Sequence, residues 1–138
     1  TLSDHRINTR FEKVDEAIAM ASMYTANHLG VKAIAALTES GSTPLWMSRI
    51  SSSIPICALT SHIETRRKVT SYRGVYPVNF EKPNTDHVQV NIEALKVLKE
   101  LGVVEDGDLV LLTKGDLMGK MGGTNVMKVI QVGDDIYS

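Results

Sequence analysis

Val31-Lys32-Ala33-Ile34-Ala35-Ala36-Leu37-Thr38-Glu39-Ser40-Gly41-Ser42-Thr43-Pro44 is the stretch whose reading decides the fold. Valine, isoleucine and alanine from Val31 to Leu37 read as a buried strand, and Pro44 fits the first position of a helix with Thr43 as its cap. Strand, polar loop, helix is an anion-binding arrangement. The first helical N–H groups lack intrahelical partners, and the aligned peptide dipoles place partial positive charge at that end. Thr38, Ser40, Ser42 and Thr43 add hydroxyls, while Gly41 lets the backbone approach a ligand or take a positive φ. An ordinary strand-to-helix turn, whose Ser and Thr only cap the helix, fits the same residues, because the loop is neither a Walker loop nor a G-x-G-x-x-G turn.

Toward the N-terminus, Thr1 to Lys13 is polar, carries Asp4, His5, Arg6 and Arg10 without a sustained period, and reads as a lead-in or linker to a domain over 14–138. From Val14 a helical stripe passes through Ala17, Ile18, Ala21, Tyr24 and Leu29, with Asp15 and Glu16 in its first turn and Gly30 ending it. After the loop, a helix is expected over about Pro44 to Ser51. Ile54 to Thr60 reads as a second strand. Ser61 and Glu64 form an S-x-x-E capping box for the next helix, whose Arg66-Arg67-Lys68 run reads as a solvated face. Val75 to Phe80 is a third strand that Pro77 demotes to an edge or irregular segment, and Glu81-Lys82-Pro83-Asn84 a turn. A helix follows from Thr85 to about Leu101, with Val88, Ile92, Leu95 and Leu98 along one face. Asp108 to Thr113 is a strand ending in Lys114-Gly115-Asp116, and after the glycine-rich Gly115 to Gly123 comes a last strand, Asn125 to Val132.

The last two strands have no helical period between them, so they pair antiparallel. Three strand-helix units and a hairpin give an α/β fold: a three-layer, doubly wound, mostly parallel five-stranded sheet with the last strand antiparallel. In such sheets ligands bind outside the carboxyl ends of the strands. The loop Thr38 to Thr43 and the loop from Lys114 to Gly123 both leave carboxyl ends, and can line one crevice.

Composition narrows the function. A chain of 138 residues with 43% apolar residues suits one domain, and a net charge of -1 gives no electrostatic case for nucleic acid or an anionic membrane. One cysteine, Cys57, excludes an internal disulfide, fits a reducing cytoplasm and, within an apolar run, reads as a buried inert thiol. No run approaches the roughly 20 apolar residues of a membrane span. His5, His28, His62 and His87 lack metal-ligand spacing, and no G-x-S-x-G elbow is present. Asp106, Asp108 and Asp116 cluster where turns favour aspartate, although Asp116 beside a phosphate would suit a base or metal residue. No catalytic residue, cofactor or metal site is assigned, and the residues describe a ligand-binding domain.

Several segments together resemble the carboxyl-terminal domain of pyruvate kinase, bacterial type. Thr38-Glu39-Ser40-Gly41-Ser42-Thr43 resembles that family's effector-phosphate loop, Pro55-Ile56-Cys57-Ala58-Leu59-Thr60 the strand after it, and Tyr72-Arg73-Gly74-Val75-Tyr76-Pro77-Val78 its Y-R-G-V-x-P-V signature. Gly107-Asp108-Leu109-Val110, Thr113-Lys114-Gly115 and Gly123-Thr124-Asn125 continue the match, which covers about Val14 to Val132. The resemblance implies an allosteric effector-binding and subunit-assembly role in a cytoplasmic glycolytic homotetramer. It places the effector phosphate on Thr38 to Thr43, with Lys114, Gly115, Asp116, Gly122 and Gly123 as further loop candidates. It implies that the phosphoenolpyruvate, nucleotide, magnesium and potassium sites lie in a catalytic barrel not contained here, with Thr1 to Lys13 as the stub of the connection. The partners implied are that barrel, further copies of the chain and a phosphorylated activator. Fructose-bisphosphate-activated members typically carry an arginine in the loop and another, with a tryptophan, near the segment here reading Asp86 to Asn91. Ser42 and Gln89 stand at those places, so the expected activator is a monophosphate, a sugar monophosphate or AMP. A freestanding phospho-ligand-binding module of the same fold, or a small enzyme using Asp116 or Lys114, are the alternative readings.

Overall fold

The computed structural model describes residues 2–81, 86–115 and 124–134, with side chains from residue 13 onward. The elements are α1 (Leu2–Leu29), β1 (Ala33–Leu37), α2 (Ser42–Ser48), β2 (Ile56–Thr60), α3 (Ile63–Val69), β3 (Val75–Asn79), α4 (His87–Glu100), β4 (Leu109–Lys114) and β5 (Val126–Gln131). The sheet order is β3-β2-β1-β4-β5; the first four strands are parallel, and β5 runs antiparallel to β4. The α/β fold expected from the sequence is the one present.

Central strands β1 and β2, AIAAL and ICALT, are buried at every position, as continuous apolar runs must be when both faces of a parallel sheet are covered. Their side chains alternate between two cores. Ile34 and Ala36 of β1 meet Ala19, Met23 and Ala26 of α1, Met47 of α2 and Val69 of α3. Ala33, Ala35 and Leu37 meet Val90, Ala94, Leu95 and Leu98 of α4. Three helices thus cover one face and α4 the other. Pro77 sits in β3 at the sheet edge, where its missing N–H costs no ladder bond on the outer side.

Local expectations are corrected in each of the four helices. Helix α1 starts at Leu2 rather than near Val14, because no glycine or proline interrupts 2–29 and the backbone helix needs no apolar stripe to continue. Its buried face is Asp15, Ala19, Ser22, Met23 and Ala26, while Tyr24 of the expected stripe is 73% exposed. Helix α2 begins at Ser42 with Gly41 as its N-cap, so Thr43 lies inside the helix and does not cap it. Helix α3 has His62 at its N-cap with no side-chain capping bond, and the Ser61–Glu64 box does not form; the His62 N–H instead donates to Thr60 Oγ1 at 3.2 Å. Helix α4 is capped by Asp86, whose Oδ1 accepts from the Val88 N–H at 2.9 Å, and it buries Val90, Asn91, Ala94, Leu95 and Leu98 rather than Val88 and Ile92. Of the expected turn 81–84 and helix start at Thr85, residues 82–85 lie outside the described residues, as do 116–123 of the glycine-rich segment.

The topology positions the site. From β1 the chain winds outward through α2 and α3 to β2 and β3, then returns over the opposite face through α4 to β4, on the other side of β1. The winding reverses between β1 and β4, and the crevice beyond their carboxyl ends is where open α/β sheets take ligands.

Candidate functional site

Thr38 follows the last residue of β1, and Gly115 the last residue of β4; Ala36 pairs with Thr113, so the two strand ends lie side by side at the reversal. The loop from β1 is ordered by its own side chains. Thr38 continues the strand by donating its N–H to Leu59 O at 3.0 Å, and its Oγ1 accepts from the Gly41 N–H at 2.8 Å. Ser40 Oγ accepts from the Ser42 N–H at 3.2 Å. Gly41 adopts φ 85°, in the left-handed region, and a Cβ there would meet Val69 Cγ1 at 3.1 Å, so glycine answers both a backbone and a packing demand.

Helix α3 straps this loop. Thr65 Oγ1 donates to Glu39 O at 2.7 Å, and the Glu39 carboxylate pairs with the His62 ring. That pairing ties the one acid of the loop to α3. The run Arg66-Arg67-Lys68, read from sequence as a solvated face, is divided in use. Arg66 Nη1 donates to Thr60 O at 3.1 Å and Asn79 Oδ1 at 3.0 Å, across the carboxyl ends of β2 and β3. The aliphatic end of Lys68 lies on the loop, its Cε 3.6 Å from the Cβ position of Gly41.

The expected hydroxyl set separates into two groups. Thr38, Glu39 and Ser42 are half-buried and Ser40 is exposed, whereas Thr43 is buried and turned inward. Its Oγ1 donates to Thr124 Oγ1 at 2.8 Å, and the Thr124 N–H donates to Asp15 Oδ1 at 2.6 Å. Asp15, Thr43 and Thr124 are 6%, 2% and 4% exposed, so a buried polar chain joins α1, α2 and the approach to β5. Sequence reading placed Asp15 in a first turn for its effect on the dipole and named Thr124 only within a matching segment, with no role. The signal available was the run Asp15, Ala19, Ser22, Met23, Ala26 at helical spacing, which puts the acid on a face otherwise made of small or apolar residues.

Lys114 is only 4% exposed, and its Nζ donates to Asn91 Oδ1 at 2.8 Å and to His87 O at 3.0 Å. The structure therefore joins Lys114 to the first turns of α4. Gly115 is half-buried at the end of β4, while Asp116, Gly122 and Gly123 lie outside the described residues. Gln89 occupies the first turn of α4, where its Nε2 donates to Glu93 Oε1 at 3.4 Å. Cys57 is buried in β2, and desolvation raises its thiol to about 11. Among the described residues no three His, Cys, Asp or Glu side chains gather to hold a metal, and no helix is long and apolar enough to cross a membrane.

Residues 16–130 match the family model described as pyruvate kinase, alpha/beta domain. The chain is 46% identical over 132 residues to a pyruvate kinase of Buchnera aphidicola subsp. Baizongia pistaciae, covering 95% of this chain and 27% of that protein. Identity and coverage are the same against pyruvate kinase II of Salmonella typhimurium. A pyruvate kinase of Lactobacillus delbrueckii subsp. bulgaricus is 40% identical over 133 residues, covering 92% of this chain and 22% of the relative. The chain thus spans about a quarter of the length of these relatives.

Proposed function

Because the chain belongs to the pyruvate kinase α/β-domain family, we propose that it is the regulatory and assembly domain of a pyruvate kinase and binds a phosphorylated activator in the loop Thr38 to Thr43. The whole protein, on this reading, transfers phosphate from phosphoenolpyruvate to ADP in the cytoplasm, in a barrel that holds magnesium and potassium. This domain adds no reacting group of its own. It biases the barrel and the subunit contacts of a homotetramer by binding its activator more tightly in one arrangement than in another, which is what any allosteric effect requires.

One observation carries the reading: a hydroxyl-rich loop sits at the reversal of the sheet, with its acid paired to His62 and its backbone fixed by Thr38, Ser40 and α3. A phosphate there meets the hydroxyls of Thr38, Ser40 and Ser42 rather than a bare carboxylate. The loop itself contains no lysine or arginine, which favours one phosphate over two. The family's resemblance in Thr38 to Thr43 points the same way, and the activator is then a sugar monophosphate or AMP.

Thermal melting of the chain with ribose 5-phosphate, glucose 6-phosphate, AMP and fructose 1,6-bisphosphate tests this. A ligand present at about 100 times its Kd stabilises by about 2.7 kcal/mol, several degrees in Tm for a domain of this size. The reading expects such a rise with a monophosphate and less with the bisphosphate at equal concentration. A bisphosphate effect as large, or no effect from any of the four at millimolar concentration, would sink it.

A further inference from the structure

This inference rests on the reading of Thr38 to Thr43 as a phosphate site and supplies the charge that the loop lacks. A phosphate ester carries about 1.5 to 2 negative charges at neutral pH. The one ionisable side chain in the loop is Glu39, and its carboxylate pairs with His62. The basic side chains around the crevice differ in what they already do. Arg66 reaches back to Thr60 O and Asn79 Oδ1 at the strand ends, and Lys114 is buried against Asn91 and His87 O.

Lys68 differs from both. Its Cε lies 3.6 Å from the point a Cβ on Gly41 would occupy, so its ammonium, one bond further on, is close to the loop. The ammonium has no hydrogen-bond or ion-pair partner among the described residues, and the residue is exposed. Thr65 and Val69, three residues before and one after, are the contacts that hold α3 against Glu39 and Gly41. The seven residues of α3 therefore do two things at once. They strap the loop through Thr65 and Val69, and they place a lysine beside Gly41.

We propose that Lys68 is the specificity-determining cation of this site, pairing with the single phosphate of the activator while the loop hydroxyls hold its remaining oxygens. A lysine acts here as a mobile point charge, not as the planar fork of an arginine. It suits a phosphate presented at varying angles by different small molecules, and it commits the site to a phosphate monoester.

Isothermal titration of the 138-residue chain with ribose 5-phosphate, at two salt concentrations, decides it. Lys68→Gln is expected to weaken binding about fivefold and to flatten the salt dependence, with Lys68→Arg and Arg67→Gln both within about twofold of the parent. Equal affinity in the parent and Lys68→Gln overturns the inference and leaves the loop reading standing. An equal loss in Arg67→Gln also overturns it, since the helix would then act only as a diffuse positive field. Absence of binding in the parent overturns the loop reading, and the inference with it.

Discussion

The two faces of the sheet are built differently. The face under α4 is a nearly all-apolar core, with Leu37, Leu59, Leu98, Leu112 and Val110 at its centre and the Lys114–Asn91 contact at its rim. The face under α1, α2 and α3 has an apolar core too, but buried polar groups run beside it: Asp15, Ser22, Thr43, Thr65, Thr113 and Thr124. Apolar packing is non-directional and tolerates adjustment, whereas a buried hydrogen-bonded chain fixes one arrangement and is costly when half satisfied. The α4 face thus supplies stability. The other face fixes where the loop sits relative to α1.

Substitutions sharpen that contrast. Leu98→Ala, at a fully buried position under α4, is expected to cost the most, about 2 to 5 kcal/mol by urea denaturation, because it removes apolar contact and leaves a cavity. Asp15→Ala on the polar face removes the acceptor of the Thr124 N–H and is expected to cost about 1 to 3 kcal/mol. It should also displace the Thr43 and Thr124 amide signals more than Leu98→Ala does. Equal displacement by both would erase the distinction between the faces.

Gly41→Ala follows, at about 1 to 2 kcal/mol, since its left-handed φ and the 3.1 Å approach to Val69 both oppose a Cβ. Thr113→Val is expected to be the mildest, within about 1 kcal/mol and favourable in sign, because the buried Thr113 hydroxyl has no hydrogen-bond partner to lose among the described residues. A loss above that range would reveal a buried water holding the hydroxyl. Cys57 lies in the core on the α4 face, and its raised thiol keeps the thiolate scarce at neutral pH. Alkylation of the folded chain at pH 8 should be slow and should accelerate only when the chain unfolds.

Strand content, the mostly parallel sheet and the antiparallel last strand were legible, because β1, β2 and β4 are continuous apolar runs and no helical period separates β4 from β5; the order of the strands was not. The anion-site reading of Thr38 to Thr43 came from local residue types alone. What was not legible lies in contacts between distant residues. Thr43 reads as a cap until Thr124, 81 residues away, takes its hydroxyl. Asp15 and Thr124 are 109 residues apart, and Glu39 and His62 are 23 apart. The exposed face of α1 carries Ala17, Met20, Ala21, Tyr24 and Leu29 against Ala19, Met23 and Ala26 on the buried one, so periodicity selected the wrong face. Arg67 and Lys68 are exposed as the solvated reading of the run expects, but sequence does not show the loop beside which Lys68 lies.

The most direct test of the central claim is a residue-resolved NMR titration of the labelled chain with ribose 5-phosphate. The account predicts saturable shifts at the amides of Ser40, Gly41, Ser42 and Thr43, smaller ones at Thr65 and Lys68, and none at Val90 to Leu98. Saturable shifts confined to α4, or none at the loop up to millimolar ligand, would contradict it.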